Sequence, residues 1–334
     1  MTTAPRRIVV TGMGANPGFD LARSLQRRGL HVIATDAHPL APGLLLPGVT
    51  ARTTPRADDP RYGEAMMRLC RETAADAIMV GIENDLAPLL DLEHALAAAG
   101  VRLWLPEPSA VETCLDKAAF DAALRAHRIP TPRTYLPEQL DTVPDDGRPL
   151  VVKPRRGHGA QNVFFCHTRE QARVLCELVP EPLIQERVRG TEFTADCVVD
   201  RTSRASAVLR HRDLVKAGLA AVATTFHDQE VAERVEQTLA AVGAQGLCCV
   251  QGFITDDGPQ RVLITELNVR VAGGFALSEA AGADLVGQTV NGLFGHPIDH
   301  SRLAYRPGVF LTKYVETLAT GHRATHPAWK DTSR

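Results

Sequence analysis

The sequence carries almost no net charge: 37 Lys and Arg against 39 Asp and Glu leave −2 at neutral pH, with a pI near 6.6. That balance lacks the electrostatic footprint of a nucleic-acid or membrane-surface protein. The doublets Arg27-Arg28 and Arg155-Arg156 are too short to build a basic patch. No apolar run is long enough to cross a bilayer, and Met1-Thr2-Thr3-Ala4-Pro5 has no secretory h-region. The seven cysteines show no metal-ligand spacing, and Cys248-Cys249 lies inside an apolar run. Such an odd, scattered set is expected as reduced thiols in a cytoplasm. There is no internal repeat and no low-complexity segment. What remains is ordinary globular composition, 44% hydrophobic and 23% charged over 334 residues, enough for two or three compact units.

The first hundred residues alternate strand and helix patterns. Ile8-Val9-Val10 is a buried parallel strand by its apolar run. The turn Gly12 to Gly18 follows, with Asn16 suited to cap a helix and Pro17 to its first position. Leu21, Ala22 and Leu25 recur at helical spacing until Gly29. Strands are expected over 31–35, 78–80 and 101–105, with Leu89, Leu92 and Leu96 forming one helix face. This predicts an α/β N-terminal open parallel sheet, Rossmann-like, over residues 1–105. Beyond Pro106 and Pro108 a helix over 116–127 is followed mainly by strands, at 149–153, 162–165, 183–186, 193–200, 206–209, 247–254 and 261–266. A helix over 228–242 interrupts them. Two α+β lobes are expected at 106–186 and 187–318, then a polar tail at 319–334.

Several segments point to a nucleotide. Gly12-x-Gly14-x-x-x-Gly18 between a strand and a helix, with Asp36 ending the next strand, suggests a phosphate turn and a ribose acid. The last glycine is one residue late for the dinucleotide fingerprint, so a structural turn competes with that reading. In the second half Lys153 ends a strand and precedes Gly157 and Gly159, whose loop can approach phosphates closely. Gln185, Glu186 and Val188 lie on a strand and the short link to Gly190, with Glu192 beyond it. Such a link can meet an adenine edge, and Glu192 a ribose. Gln251, Glu266 and Asn268 are oxygen donors for a hard cation, the last two on one face of a strand. Arg270 continues that face and can clamp a phosphoryl oxygen.

Lys117, Lys153, the Glu186 to Glu192 link and Glu266-x-Asn268-x-Arg270 together resemble the ATP-grasp superfamily. The closest flavour is the carbamoyl-phosphate-synthase large chain and shorter carboxylate–amine ligases. The resemblance covers nearly the whole chain, with a pre-ATP-grasp domain ahead of the two lobes. It implies that Lys117 and Lys153 bind ATP phosphates beneath the glycine loop. It implies that Glu186 and Val188 meet the adenine, with Gln185 as the reader if the register is one residue off. Glu192 is then the ribose acid, and Gln251, Glu266 and Asn268 hold Mg²⁺, or Mn²⁺ in its place. Arg270 faces the γ-phosphate. Val269 stands where many relatives have proline, Gln251 where many have an acid, and Arg155, Arg156 and His158 where small loop residues are common.

The implied reaction makes an acyl phosphate from a carboxylate and ATP, then an amide with an amine. Lys153 and Arg270 would carry the chemistry. Arg210, Arg212 and Lys216 are candidates for the substrate carboxylate, against a solvated basic loop. His158 and His211 are candidates for proton transfer, and Glu83-Asn84-Asp85 for substrate contact, with capping by Asn84 the competing reading. No glutaminase, biotin or carrier motif is present, so the nitrogen is expected from a free amine or ammonia. The expected partners are small-molecule carboxylate and amine substrates, with a homodimer as an option. The alternatives are a bicarbonate-using carboxylase or carbamoyl-phosphate-type ligase, a dinucleotide-binding oxidoreductase, and a non-catalytic nucleotide sensor.

Overall fold

The computed structural model describes residues 6–314 except 145, 158, 160, 217, 257 and 258. The tail expected at 319–334 lies outside the described residues. Contacts divide the chain near Trp104: residues up to Trp104, with Lys313 and Tyr314, form one compact unit, and Leu105–Thr312 form the other.

In the first unit β1 (Arg7–Val10) leads to α1 (Asn16–Arg27), then β2 (His31–Asp36), β3 (Thr50–Thr53), α2 (Tyr62–Thr73) and β4 (Ala77–Met79). Two short helices follow, α3 (Leu86–Asp91) and α4 (Glu93–Ala98). The four strands form a parallel sheet in the order β3-β2-β1-β4. Its apolar strands Ile8-Val9-Val10 and Val32-Ile33-Ala34 are buried, as expected of a sheet covered on both faces.

Four local expectations are corrected here. Residues 101–105 form no strand beyond one bridge from Arg102 to Ala77, since Pro106 and Pro108 carry no N–H for a longer ladder. The single leucine-faced helix is broken at Leu92, which joins α3 to α4. Asn16 does not cap α1: Ala15 occupies the N-cap, and no side chain bonds the helix start. Asn84 is not an N-cap either, because Ile82 and Asp85 hold the N-cap positions of the short helices there.

The second unit begins with α5 (Pro108–Leu115), α6 (Lys117–Ala126), β5 (Thr134–Tyr135), β6 (Leu150–Pro154), β7 (Phe164–Cys166), α7 (Arg169–Leu178) and β8 (Pro182–Glu186). Its smaller sheet runs β5-β8-β6-β7 with antiparallel pairs. Leu150, Val152, Cys166, Ala172, Val179 and Ile184 pack one face of that sheet against α7. Then come β9 (Gly190–Val199), β10 (Ala205–Lys216), β11 (Leu219–Thr225), α8 (Gln229–Val242), β12 (Gly246–Thr255) and β13 (Val262–Asn268). The helices α9 (Ala276–Ala280) and α10 (Leu285–Leu293) precede the last strand, β14 (Phe310–Thr312). The larger sheet is antiparallel, in the order β13-β12-β9-β10-β11-β14. Strand β10 runs on to Lys216, so the basic stretch after Leu209 is a long hairpin arm rather than a loop.

The β9–β10 turn is stapled by Asp200. Its Oδ1 accepts from the Thr202 N–H at 2.8 Å and the Arg204 N–H at 3.0 Å. Its Oδ2 lies 3.1 Å from His300 Nε2. Burial pushes the carboxyl up, but the Thr202 hydroxyl, His300 and the turn amides outweigh it and hold the pKa at about 2. A lowered folded pKa means stability that is present above the ordinary value of 3.8 and lost as pH falls through about 2. Asp200→Asn is expected to flatten the acid limb of unfolding free energy between those values, removing about 2 kcal/mol of the stability lost along it. Urea titrations at a series of pH values read this directly; an unchanged acid limb would contradict it.

Candidate functional site

On the smaller sheet, antiparallel register sets Val151 opposite Gln185 and Lys153 opposite Leu183. Lys153 Nζ reaches back to Gln185 Oε1 at 2.8 Å, and Gln185 Nε2 donates to Thr134 Oγ1 at 2.9 Å. Burial pushes the Lys153 ammonium down to about 8, with Lys117 adding to the fall and Glu266 and Asp121 opposing it. Lys117 is the first residue of α6, a helix capped by Asp116 through the Ala118 and Ala119 amides. Its Nζ donates to the Gly157 carbonyl at 2.8 Å. Gly157 and Gly159 have φ of 128° and 67°, values that favour glycine, and a Cβ added to either would meet nothing within 4 Å.

The extra arginines of this loop have local partners. Arg155 forks onto Asp116, with Nη2 2.5 Å from Oδ2, and Arg156 pairs with Glu112. Burial pushes Asp116 up, yet Arg155 and the helix amides hold it below the usual carboxylate range. The arginines thus tie the root of the glycine loop to α5 and α6. A cavity of about 450 Å³ lies beside them, lined by Leu136, Glu138 and Glu181 among others; none of the candidate nucleotide residues lines it. His158 lies outside the described residues.

The link between the lobes is short, residues 187–189. The Glu186 N–H donates to the Arg133 carbonyl at 2.9 Å, and its carboxylate lies 3.5 Å from Arg133 and 3.6 Å from Arg148. Val188 is half-buried on the link. Gly190, at φ 151°, passes so close to β12 that a Cβ would sit 2.2 Å from the Ile254 carbonyl.

On the larger sheet, Gln251 pairs with Thr194 on one side and Glu266 on the other, and Asn268 pairs with Cys249. Cross-strand partners share a face, so Glu192, Thr194 and Asp196 of β9 lie alongside Gln251, Glu266 and Asn268. Among the described residues Glu266 has no hydrogen-bond or ion-pair partner, and Asn268 Nδ2 is buried without one. Arg270 Nη2 lies 3.5 Å from Asn268 Oδ1 and its Nη1 donates to the Val271 carbonyl. One carboxylate and two amide oxygens suit a hard cation that takes further oxygens from phosphate, and the orphaned amide of Asn268 fits a group still to be bound. Among the described residues there is no cluster of three or more His, Cys, Asp or Glu that could hold a metal.

The three basic candidates of the hairpin part ways. Arg210 is buried on Asp196, with Nε to Oδ2 at 2.8 Å and Nη2 to Oδ1 at 3.1 Å, and Ser278 Oγ donates to the same carboxylate at 2.6 Å. Burial alone would push the Arg210 guanidinium down; Asp196 reverses that. Arg212 Nη1 meets both Glu192 Oε1 at 2.5 Å and Gln251 Oε1 at 2.9 Å, while Nη2 donates to the Gly218 carbonyl at 2.6 Å. Burial pushes Glu192 up against the opposing pull of Arg212. Lys216 is exposed near the hairpin tip. His211 stacks on Phe226 at 3.8 Å between ring centroids, on the opposite face of the strand. Sequence reasoning missed Asp196 and Thr134. Asp196 carried a signal, an acid within the otherwise apolar run Ala195 to Val199; Thr134 carried none.

In the first unit the glycine turn is braced rather than open. Asp36 Oδ2 accepts from the Gly14 N–H at 2.6 Å and Oδ1 from the His38 N–H at 2.8 Å. Asp85 is turned inward, and burial pushes its carboxyl up, with Thr11 and Tyr62 opposing. Among the described residues no helix is long and apolar enough to cross a membrane.

Comparison with known proteins follows the same division. Residues 8–104 match the PylC-like N-terminal domain, and residues 179–317 match the ATP-grasp family described as acting in the biosynthetic pathway with Ter operon. The carbamoyl phosphate synthase large chain of Methanothrix thermoacetophila is 24% identical over 316 residues, which is 85% of this chain and 28% of that one. The chain therefore spans little more than a quarter of that relative. Among solved structures, the L-amino acid ligase of Bacillus licheniformis superposes with a TM-score of 0.69 at 18% identity, covering 92% of this chain and 78% of that one. The biotin carboxylase domain dimer of Hydrogenobacter thermophilus 2-oxoglutarate carboxylase, in complex with MgADP and bicarbonate, superposes at 0.72 and 15% identity, covering 92% and 74%. These identities speak for the fold. Residues 179–317 thus match an ATP-grasp family and residues 8–104 a PylC-like N-terminal domain, and the solved structures show the ATP-grasp fold.

Proposed function

We propose that this chain binds Mg-ATP between the two sheets of its second unit and uses it to join a small carboxylate to an amine. The observation that carries the reading is the hydrogen bond from Lys153 to Gln185, with Glu266 of the other sheet as a neighbouring charge. Glu266 is the strongest of the charges acting on Lys153. That proximity supports placing the cationic phosphate site and the oxygen-donor site on one cleft.

In this reading Lys117, Lys153 and Arg270 hold the phosphates, and the Gly157–Gly159 loop lies over them. Glu192 takes the ribose. Gln185 and Val188 meet the adenine, since the Glu186 N–H is already spent on Arg133. Gln251, Glu266 and Asn268 would hold a magnesium ion, or manganese, whose chemistry is to offset charge on the phosphates. A carboxylate oxygen attacks the γ-phosphorus as the bond to the β-phosphate oxygen breaks, leaving an acyl phosphate and ADP. The amine then attacks the acyl carbon, phosphate departs, and the nitrogen loses a proton. The protein's part is to position and to neutralise, with water kept from the acyl phosphate by the loop. Arg210 supports the sheet beneath the site, which leaves Arg212 and Lys216 as the hairpin cations near substrate.

Nucleotide protection tests this. Mg-ATP at a hundred times its Kd is expected to add about 2.7 kcal/mol of stability and raise Tm, while NAD(H) adds nothing. Protection by NAD(H) alone would favour the oxidoreductase reading, which the engagement of Asp36 by Gly14 and His38 does not support. Amino acids offered singly and in pairs, with phosphate release and product mass recorded, then identify the substrates. The carbamoyl phosphate synthase relatives keep a second reading alive: ADP formation driven by bicarbonate without an organic acid would move the assignment there.

A further inference from the structure

A chain of hydrogen bonds in the smaller sheet has its direction forced at both ends. The Pro132 carbonyl can only accept, and the Thr134 hydroxyl donates to it at 2.9 Å. That uses the one proton of the hydroxyl, so Thr134 Oγ1 can only accept from its other neighbour. The neighbour is Gln185 Nε2, at 2.9 Å. At the far end the Lys153 ammonium has only donors to offer, and its Nζ lies 2.8 Å from Gln185 Oε1. Turning the amide over would set an NH₂ against an ammonium and a carbonyl against an oxygen with no proton left. Only one orientation satisfies the chain.

Backbone pairing holds the members in place. Thr134 sits opposite Gln185 on the neighbouring strand, and Gln185 is opposite Val151, two residues before Lys153. Gln185 is 8% exposed, so water cannot easily stand in for a lost partner. The amide oxygen has a second lone pair beyond the one Lys153 uses. When Lys153 turns to a phosphate, the Thr134 end alone sets which atom of the amide faces the nucleotide.

We propose that Thr134 is a positioning residue that locks the Gln185 amide with its oxygen toward the nucleobase, and so selects a 6-amino purine over a 6-oxo purine. The inference rests on the placement of the base beside Gln185 given under Proposed function. A 6-amino group donates to the fixed oxygen. A 6-oxo group only accepts, and would place two acceptors face to face.

Calorimetric titration with Mg-ADP and Mg-IDP tests this without any knowledge of the substrates, because the two nucleotides differ in the 6-position group and the N1 proton that accompanies it. The native protein is expected to prefer ADP by about tenfold or more. Thr134→Ser keeps the hydroxyl and is expected to keep that preference. Thr134→Val frees the amide to turn and is expected to bring the two affinities within about threefold of each other. A Thr134→Val protein that retains the native ratio overturns the lock. Should that variant fail to fold, Gln185→Leu serves instead: loss of the preference supports the lock's reader, and an unchanged ratio removes it. If the native protein binds neither nucleotide, the functional reading fails first and the lock fails with it.

Discussion

Lys153→Ala is expected to lower substrate-dependent ADP release by about a hundredfold or more, on the scale seen when one preorganised electrostatic donor is removed from an active site. The reason lies in where the lysine stands. It is half-buried on β6, with Glu266 and Lys117 as neighbouring charges, and loss of hydration holds its pKa at about 8. An ammonium kept short of water gains most from a phosphate. The same burial makes the lysine a cost in the empty site. The folded pKa lies below the ordinary 10.5, so the penalty is fully present below about pH 8 and is relieved as pH rises toward 10.5. Lys153→Ala should therefore keep or raise Tm at neutral pH while losing nucleotide affinity and turnover. A variant that lost activity only because it unfolded would show the opposite pattern in Tm. Native ADP release from a well-folded Lys153→Ala protein would remove Lys153 from the phosphate site.

Asp196→Ala is expected to have the largest effect on stability, about 3–5 kcal/mol, because it leaves the Arg210 guanidinium buried and uncompensated. For a unit of this size that corresponds to a Tm lower by roughly 6–20 °C. Arg210 and Asp196 are 2% and 1% exposed, and the pair is bidentate with Ser278 as a third member. Gly274 packs against the guanidinium so closely that a Cβ would lie 2.6 Å from Nη1. The pair therefore also seats the chain just after Arg270. Replacing both partners with apolar residues of similar volume, Asp196→Leu with Arg210→Met, should recover most of the loss, since the penalty belongs to the orphaned charge. Denaturant unfolding of the two single variants and the double variant checks this. Additive losses would mean that the pair is not coupled.

The nucleotide signals differ in how far each could be read before folding. Glu266 and Asn268 share a face because side chains alternate along any strand, and that follows from sequence alone. Pairing Gln251 with Glu266 required the register of β12 against β13, including an irregularity after Gln251. The hairpin cations looked alike as Arg210, Arg212 and Lys216. Only the fold separates them, because register sets Arg210 opposite Thr194, from where its side chain reaches Asp196 diagonally, while Arg212 reaches Glu192 and Gln251. Asp36 looked like a ribose acid by its place at a strand end. It is a brace, because the chain after β2 turns back and presents the His38 N–H to it.

The sequence alone determined the near-neutral charge, the alternation of strands and helices ahead of Trp104, and the order of lysines, acids and arginine that carries the resemblance to the ATP-grasp superfamily. Those properties depend on composition and on neighbours a few residues apart, so they survive without any knowledge of long-range contacts. The tertiary structure decided which polar groups are spent on one another. Thr134, Gln185 and Lys153 span two β-strand pairings, and Asp196, Arg210 and Ser278 join two strands to a helix. Hydrogen-bond direction and burial exist only once those distant segments meet, and that is where orientation and selectivity are set.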